Sequence, residues 1–268
     1  MRPAVAAAAA ALLLALAPPG AEAGSIGFRT DAEVTTGPGV DAKVTMTQTG
    51  DEAAADVSVS GELLGRSTDG EKVPSIAPGQ SQVWNLHLAD AIAPGVYAIV
   101  LRARYSDTNG YPFEVVSIAN APAGVKAAPR VFGNIEVPRL AVGGQVTARL
   151  TAKRPPGRSG AMEAEIVAPG GIDVQPQRLP LSFDASGRAT ADFRIRNQRL
   201  LAGTSVNLFA FVTGSDAGFP QTDTIRGTVS ITAATVKLTP RMFYQAAAGL
   251  MGLLLVLEVA SRARRRHA

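Results

Sequence analysis

The chain has 268 residues, among them 26 Lys and Arg, 22 Asp and Glu and no Cys, and its formal net charge is +4. Residues 24–240 hold 20 basic and 20 acidic residues, because six of the basic and two of the acidic residues lie outside this range. This neutral balance excludes the basic surface of a nucleic-acid-binding protein, and the absence of Cys excludes a disulfide framework and a lipid-modified cysteine.

The first 23 residues have the composition of a secretory signal peptide. Arg2 precedes an apolar run at residues 4–17, and a Pro-Pro-Gly breaker and a small-residue site at 21–23 follow. This order is typical of a cleaved export signal. We predict that residues 1–23 are removed and that the mature chain begins at Gly24; the alternative is an uncleaved first membrane span.

Residues 24–240 consist of many short segments in which apolar and polar side chains alternate. Such patterns predict antiparallel strands that are buried on one face. Turn signals such as Pro-Gly, Asn-Gly and Gly-Gly separate the segments, and helical periodicity is nearly absent, so an all-β sandwich is predicted. The apolar faces are Val44 and Met46, Val57 and Val59, every second residue from Tyr97 to Tyr105, Val146 to Leu150, Ala191 to Ile195, and Val229 and Ile231.

A weak internal repeat relates residues 76–105 to residues 183–212. In each half a turn glycine, Gly79 or Gly187, precedes one strand, and a second glycine, Gly95 or Gly203, opens the next. The two glycines of each half are 16 residues apart, and the halves are offset by 108 residues. The repeat predicts two tandem sandwich domains, at residues 24–122 and 123–238, which meet in the Pro-, Ala- and Gly-rich linker 119–130.

The order of turns and strands in residues 78–105 resembles bacterial immunoglobulin-like modules of cell-surface and adhesion-related proteins. Pro-Gly, an alternating strand, a second Pro-Gly and a long alternating strand follow one another in this segment. The second half, from GIDVQPQRLPLSFDASGRATADFRI onward, is similar, with Ala202-Gly203 in place of the second Pro-Gly. The resemblance implies immunoglobulin-like sandwiches that act as spacers or binding modules, and it assigns no functional residues.

The segment YSDTNGYPF, residues 105–113, is the most distinctive stretch of the first domain. Asn109-Gly110 favours a tight hairpin turn, Asp107 can accept hydrogen bonds from nearby amides, and Tyr105, Tyr111 and Phe113 can pack across the hairpin. One interpretation is purely structural. The other is an exposed docking surface for another protein. Calcium at Asp107 and Asn109 is a weaker hypothesis, because no acidic ligand follows at the spacing of a calcium loop.

A second unusual segment, residues 205–212, is apolar on both faces. Phe209 and Phe211 alternate with Val206, Leu208 and Ala210. This pattern predicts either a central strand or a contact with the other domain or a partner.

No catalytic, cofactor or metal site is predicted. The only histidine of residues 24–240 is His87, which falls on the polar face of a strand whose core face carries Trp84, Leu86 and Leu88. No Gly-x-Ser-x-Gly motif accompanies it, and a zinc site needs several His or Cys ligands. We therefore expect a protein that is not an enzyme.

Residues 242–260, MFYQAAAGLMGLLLVLEVA, predict a membrane-spanning helix. A helix of about 20 apolar residues crosses a bilayer. Phe243 and Tyr244 suit the lipid–water interface, and Glu258 can pair with Arg262 four residues later. The tail 261–268 also contains Arg264, Arg265 and Arg266, so the positive-inside tendency places it in the cytoplasm. The alternative for this segment is a buried core helix.

These features predict a single-pass protein of the bacterial inner membrane with its two domains in the periplasm. The absence of any Asn-x-Ser/Thr acceptor fits a bacterial envelope better than a eukaryotic secretory route. The expected function is a non-enzymatic scaffold or accessory subunit that docks other envelope proteins. The alternative is a module that binds a polysaccharide or another ligand at the membrane surface, for which accessible aromatic side chains are expected.

Overall fold

The computed structural model describes residues 25–126, 130–155, 161–216 and 218–234. The predicted signal peptide (1–23), membrane helix (242–260) and tail (261–268) lie outside these residues. Among the described residues, no helix has the length and apolar character needed to cross a membrane. All regular structure in the described ranges is β-strand, which confirms the predicted all-β class.

The described residues form seventeen strands. These are β1 (Phe28–Thr36), β2 (Val40–Gln48), β3 (Ala54–Leu63), β4 (Arg66–Asp69), β5 (Val73–Ile76), β6 (Ser81–Ala89), β7 (Gly95–Ser106), β8 (Pro112–Ala123), β9 (Phe132–Glu136), β10 (Leu140–Ala141), β11 (Gln145–Lys153), β12 (Met162–Val167), β13 (Ile172–Gln175), β14 (Arg178–Leu181), β15 (Arg188–Asn197), β16 (Ser205–Asp216) and β17 (Phe219–Thr232).

The first sandwich consists of two antiparallel sheets. One has the order β1-β2-β6; in the other, β7 lies between β3 and β8, while β4 and β5 pair with the opposite edge of β3. Alternate side chains of both sheets fill one core, as the sequence pattern predicts. This core includes Val44, Met46, Val57, Val59, Trp84, Leu86, Tyr97, Ile99 and Leu101.

The second sandwich has sheets of order β13-β15-β11-β9 and β17-β16-β12-β14. A short parallel pairing joins the two sheets where β17 meets β9, and the two-residue strand β10 also pairs in parallel with β17. The core between them includes Leu140, Ala148, Leu150, Phe193, Ile195, Leu208, Val229 and Ile231. Each sandwich thus has its own hydrophobic core.

The strand order of both units is that of an immunoglobulin-type sandwich, in which strands A, B and E face strands C, F and G. β1, β2 and β6 face β3, β7 and β8 in the first unit, and β9, β11 and β15 face β12, β16 and β17 in the second. The first unit also has a tyrosine corner, because the Tyr97 hydroxyl donates to the Ala93 carbonyl oxygen at 3.0 Å.

The glycine repeat corresponds to the same two strands in each sandwich. Gly79 and Gly187, with φ of +76° and +74°, precede β6 and β15. β6 begins two residues after its glycine, whereas β15 begins one residue after. The buried face is therefore shifted by one position. With the offset of 108 residues, buried Trp84 aligns with Asp192 and not with buried Phe193.

The segment that composition predicts as a linker, residues 119–130, begins as strand. β8 continues to Ala123, because the small side chains of Ala121 and Ala123 fit the core opposite Tyr97 and Gly95. Beyond the connection, the carboxylate of Asp223 accepts the backbone N–H groups of Arg130 and Val131 at 3.2 and 3.1 Å. Burial raises the pKa of Asp223, and these hydrogen bonds oppose the shift.

Proline residues interrupt two edge strands. Pro112 and Pro122 lie near the ends of β8, and Pro180 lies within β14. Both strands have a single partner strand in their sheets. Since Pro has no N–H, it cannot donate to a further strand.

The tyrosine corner should stabilise the first sandwich. We expect Tyr97→Phe to lower the free energy of unfolding by about 1 kcal/mol, because the hydrogen bond from the buried tyrosine to the Ala93 carbonyl is lost. Urea denaturation followed by the fluorescence of Trp84, the single tryptophan, measures this change. Tyr105→Phe is the control, because Tyr105 is buried as well but has no hydrogen bond among the causes of its pKa shift. Burial alone raises the pKa of Tyr105 to about 12. Equal losses for the two variants would contradict the prediction.

Candidate functional site

The two sandwiches pack against each other through their β7–β8 and β12–β16 faces. Five buried side chains form an apolar contact that belongs to neither core, which we call the interface cluster: Val100, Val116, Val167, Phe209 and Phe211. Val100 and Val116 come from the first sandwich and the other three from the second. Each buried side chain contributes about 2 kcal/mol through the hydrophobic effect, so the contact favours one fixed arrangement of the two units.

The interface cluster explains why residues 205–212 are apolar on both faces. β16 lies between β12 and β17, which makes it a central strand of its sheet. Leu208 and Ala210 point into the second core, while Phe209 and Phe211 point at the first sandwich. Both alternatives that the sequence left open, a central strand and a contact between domains, are therefore found together.

A charged cluster borders the apolar contact. Arg102 Nη1 and Arg104 Nε donate to Glu114 Oε1 and Oε2 at 2.9 and 3.0 Å. Across the interface, the Gly170 N–H donates to Glu114 Oε1 at 2.9 Å, and Arg102 Nη1 also donates to the Ala168 carbonyl at 3.2 Å. The Glu114 side chain, only 10% exposed, thus joins β7 to the loop after β12.

The pKa of Glu114 reflects opposing effects. Burial raises the pKa, but the hydrogen bonds from Arg104 and Gly170 and the charge of Arg102 outweigh it, so the pKa is lowered overall. Glu114 therefore stays ionised at neutral pH, as a buried carboxylate with three charged or polar donors should.

The five predicted docking residues form the packed end of the β7–β8 hairpin. Tyr105 is buried and stacks on Phe113 with ring centroids 5.5 Å apart, and Tyr111 meets Phe113 edge-on at 5.2 Å. Asp107 Oδ1 accepts the N–H groups of Asn109 and Tyr111 at 2.9 and 2.8 Å. These contacts support the structural interpretation of the segment, and its role in docking a partner stays a prediction.

The hairpin turn is longer than the Asn109-Gly110 pair predicts. Ser106 pairs with Pro112, so five residues form the loop, and the Gly110 N–H donates to the Asp107 carbonyl at 3.0 Å. Within this five-residue loop, Gly110 is the residue with a positive φ, of +79°. Because Asp107 holds two amides of the loop, the chain closes by a wider turn than a two-residue hairpin.

The hairpin end also contacts the second sandwich. The Tyr111 hydroxyl donates to the Arg199 carbonyl at 2.6 Å. One of the predicted docking residues is thereby engaged within the chain.

Among the described residues, no group of three or more His, Cys, Asp and Glu side chains is placed to hold a metal ion.

His87 lies on the exposed face of β6, as predicted. Its Nδ1 is 2.8 Å from Asp41 Oδ1, and its Nε2 is 2.9 Å from Asp90 Oδ1. The hydrogen bonds with Asp41 and Asp90 raise the pKa of His87 against the opposing effect of desolvation. Each ring nitrogen lies within hydrogen-bond distance of a surface carboxylate, so this histidine has the surroundings of a surface residue.

A groove of about 310 Å³ runs along the seam between the sandwiches, which we call the interdomain groove. The β3–β4 hairpin and β7 line one side, and residues of β12, β13 and β16 line the other. Its polar and charged lining residues include Glu62, Arg102, Glu165, Asp173, Gln177 and Thr213. Val100, Val167 and Phe211 of the interface cluster also line this groove.

Leu64 at the rim of this groove has a strained backbone. Leu64 and Gly65 form a two-residue turn between the paired residues Leu63 and Arg66, with φ of +52° and +75°. Such turns favour Asn-Gly, and a leucine in this region is an outlier. The residue is nevertheless 67% exposed, the largest exposure among the described large hydrophobic residues. The alternation of the sequence does not mark this residue, although a Leu-Gly pair between two strands is a local signal for it.

Comparisons with known proteins leave the family open. No family model matches the chain, and no curated protein sequence matches it. Similar solved structures include alpha-2-macroglobulin of Salmonella, at 13% identity and a TM-score of 0.34 over 78% of this chain and 16% of that one. The chain therefore spans about a sixth of that protein.

Two similar structures are themselves tandem domains. A chimeric titin Z1Z2 tandem matches at 13% identity and a TM-score of 0.23, over 78% of this chain and 100% of that one. The D00-D0 domain of intimin matches at 10% identity and a TM-score of 0.25, over 76% and 99%. These similarities are too distant to indicate a function, and the fold is defined by the strand pairing within the chain.

The Glu114 cluster gives the interface a dependence on pH. Because the pKa of Glu114 is lowered, its stabilisation is fully present above the usual glutamate pKa of about 4.3 and is lost as the pH falls through the lowered value. We expect Glu114→Gln to reduce the free energy of unfolding by about 2 kcal/mol at pH 7 and to remove this part of the acid sensitivity. Denaturation at several pH values and hydrogen exchange of the Gly170 amide measure both effects.

The matched control for Glu114→Gln is Asp192→Asn. Asp192 pairs with Arg149 across β11 and β15 at 2.8 Å, but both side chains are exposed. An exposed ion pair contributes little, so this variant should leave the Gly170 amide as protected as in the wild type. Unchanged protection of Gly170 together with an unchanged free energy of unfolding in Glu114→Gln would contradict the role given to the carboxylate.

The strain at Leu64 also predicts a stability change. We expect Leu64→Asn to raise the free energy of unfolding by about 1 kcal/mol, because Asn tolerates the left-handed backbone. Leu64→Ala keeps the strain and is the control. Urea denaturation followed through Trp84 compares them; a destabilised Asn variant would show that the leucine side chain stabilises the fold.

Proposed function

We propose that the protein is a non-enzymatic scaffold or accessory subunit, anchored in the bacterial inner membrane, that docks other envelope proteins on the periplasmic side. The observation that carries this proposal is the paired arrangement of the two sandwiches, with an exposed, strained Leu64 at the rim of the interdomain groove. A partner would meet one surface composed of both units, and rigid surfaces lose little entropy on binding.

The strain at Leu64 supports an intermolecular role for this rim. A leucine with a left-handed backbone conformation costs free energy. Its side chain is mostly exposed, so burial within the chain offsets little of this cost. Backbone strain of this kind is concentrated at binding sites and other functional positions. An exposed apolar side chain beside a groove with charged walls also has the composition of a protein-docking surface.

The anchoring and the location are supported by sequence alone. The export signal at 1–23, the apolar segment 242–260 and the arginines of the tail 261–268 together favour a single-pass protein with its sandwiches outside the cytoplasm. The β-sandwich fold suits this role, because such domains commonly act as spacers and recognition modules on cell surfaces.

The polysaccharide alternative is less well supported. It predicts accessible aromatic side chains at Trp84 or Tyr111. Trp84 is buried, with its indole N–H donated to the Glu71 carbonyl at 2.7 Å, and the Tyr111 hydroxyl is bonded to Arg199. The exposed aromatic side chains of the described residues, Phe132 and Phe219, do not line the interdomain groove, so scaffolding through side chains of this groove is preferred.

Photo-crosslinking in intact cells tests the proposal. A photo-crosslinking amino acid replaces Leu64 in the full-length protein, and the control carries it at Val83, an exposed position on β6. We expect a discrete adduct with one envelope protein from position 64 and none from position 83. That protein, once purified, should bind the wild type at least tenfold more tightly than Leu64→Asn.

The Leu64→Asn variant makes the outcome decisive, because it is expected to be more stable than the wild type. Loss of binding in this variant cannot then be attributed to unfolding. Only background adducts at position 64, or equal binding by both forms, would overturn docking at the groove.

A further inference from the structure

Two loops of the second sandwich meet at the end of β17, where the described chain leaves the fold. These tip loops are residues 142–144 and 201–204. The Val142 N–H donates to the Thr232 carbonyl at 3.0 Å, and the Gly203 N–H donates to the Ile231 carbonyl at 2.9 Å. The loops therefore flank the last two residues of the strand on either side.

Each tip loop presents an apolar side chain to solvent. Val142 is 40% exposed and Leu201 is 52% exposed. Leu201 directly follows Leu200, and Val142 lies two residues after Leu140; both leucines belong to the second core. The exposed pair is thus held by anchored loops and cannot be withdrawn into the core without unfolding them.

Buried Asn197 fixes the loop that carries Leu201. Its Oδ1 accepts the N–H groups of Leu200 and Arg199 at 2.7 and 3.1 Å, and its Nδ2 donates to the Leu200 carbonyl at 2.9 Å. Its backbone N–H donates to the Gly144 carbonyl of the other tip loop at 3.0 Å. This network positions both loops relative to each other.

The length of chain beyond β17 limits the distance between the tip loops and the predicted membrane helix. Nine residues, 233–241, separate Thr232 from the predicted membrane helix. Fully extended they span about 30 Å, and any shorter conformation brings the tip loops closer to the bilayer. Lys237 and Arg241 of this segment are attracted to the headgroups of anionic lipids.

We propose that the tip loops rest on the membrane, with Val142 and Leu201 entering the lipid–water interface. This inference rests on the membrane anchor of the proposed function. Two apolar side chains bind lipid weakly on their own, but the short tether gives an effective concentration in about the millimolar range. The contact would orient the paired sandwiches and so fix the height and direction of the interdomain groove.

Single-cysteine labelling tests the contact, because the chain has no Cys. The full-length protein carries a nitrobenzoxadiazole label at Val142→Cys or Leu201→Cys in phosphatidylethanolamine–phosphatidylglycerol vesicles that contain spin-labelled lipid. The matched control is Phe219→Cys, which is 43% exposed but lies at the other end of β17, about 43 Å away for 13 residues of strand. We expect quenching at 142 and 201 at least twice that at 219.

A charge variant separates contact of the protein from insertion of the label itself. Leu201→Asp, combined with the label at Val142→Cys, should lower the quenching to the level of position 219, because a carboxylate opposes entry into the interface. Unchanged quenching in this combination would overturn the inference. Equal quenching at 142, 201 and 219 in the absence of the charge would overturn it as well.

Flotation of the same vesicles distinguishes failure of this inference from failure of the anchor. Protein that floats after alkaline carbonate extraction but shows no excess quenching at 142 and 201 would overturn the membrane contact and leave the anchor in place. Protein that does not float would overturn the anchor, and the contact with it.

Discussion

The packing of the two sandwiches against each other is the interaction on which the remaining surface features depend. Phe209 and Phe211 would be exposed on an isolated second sandwich, and Val100 and Val116 on an isolated first one. Their mutual burial turns two tandem units into one body. Glu114 adds specificity to this apolar contact, because its carboxylate accepts a hydrogen bond from the Gly170 N–H of the second sandwich.

The architecture of each sandwich is largely predictable from its sequence, since alternation on strands such as β7 and β11 reports directly which face is buried. The resemblance to immunoglobulin-like modules also pointed to the correct arrangement of turns and strands. Tyr97 was predicted only as a core residue, although its position two residues after Gly95 of the Pro94-Gly95 turn is what places its hydroxyl at the corner. Alternation with a period of two shows which side chains point inward, but it does not show which group a polar atom of such a side chain bonds to.

The interface was harder to predict for a physical reason. Arg102, Arg104 and Glu114 lie on the outward face of their strands, and outward charged residues look like solvated surface when only one chain segment is considered. Their partners at Ala168 and Gly170 lie more than fifty residues away. Tyr111 illustrates the same limit, because nothing near it in the sequence marks the Arg199 carbonyl as its acceptor. Leu64 differs: its turn is local, and the mismatch between leucine and a left-handed backbone could have been noticed.

The prolines of the edge strands restrict how another molecule can be recognised. A peptide that extends a sheet needs a continuous row of N–H and C=O groups along a free edge. Pro112 and Pro122 remove a donor near each end of that row on β8, and Pro180 removes one within β14. Main-chain pairing, which accepts almost any extended sequence, is thereby disfavoured at these edges. Recognition at these edges therefore depends on the identity of side chains, which favours selective over non-specific binding. The prolines also help to prevent neighbouring copies from joining into continuous sheets.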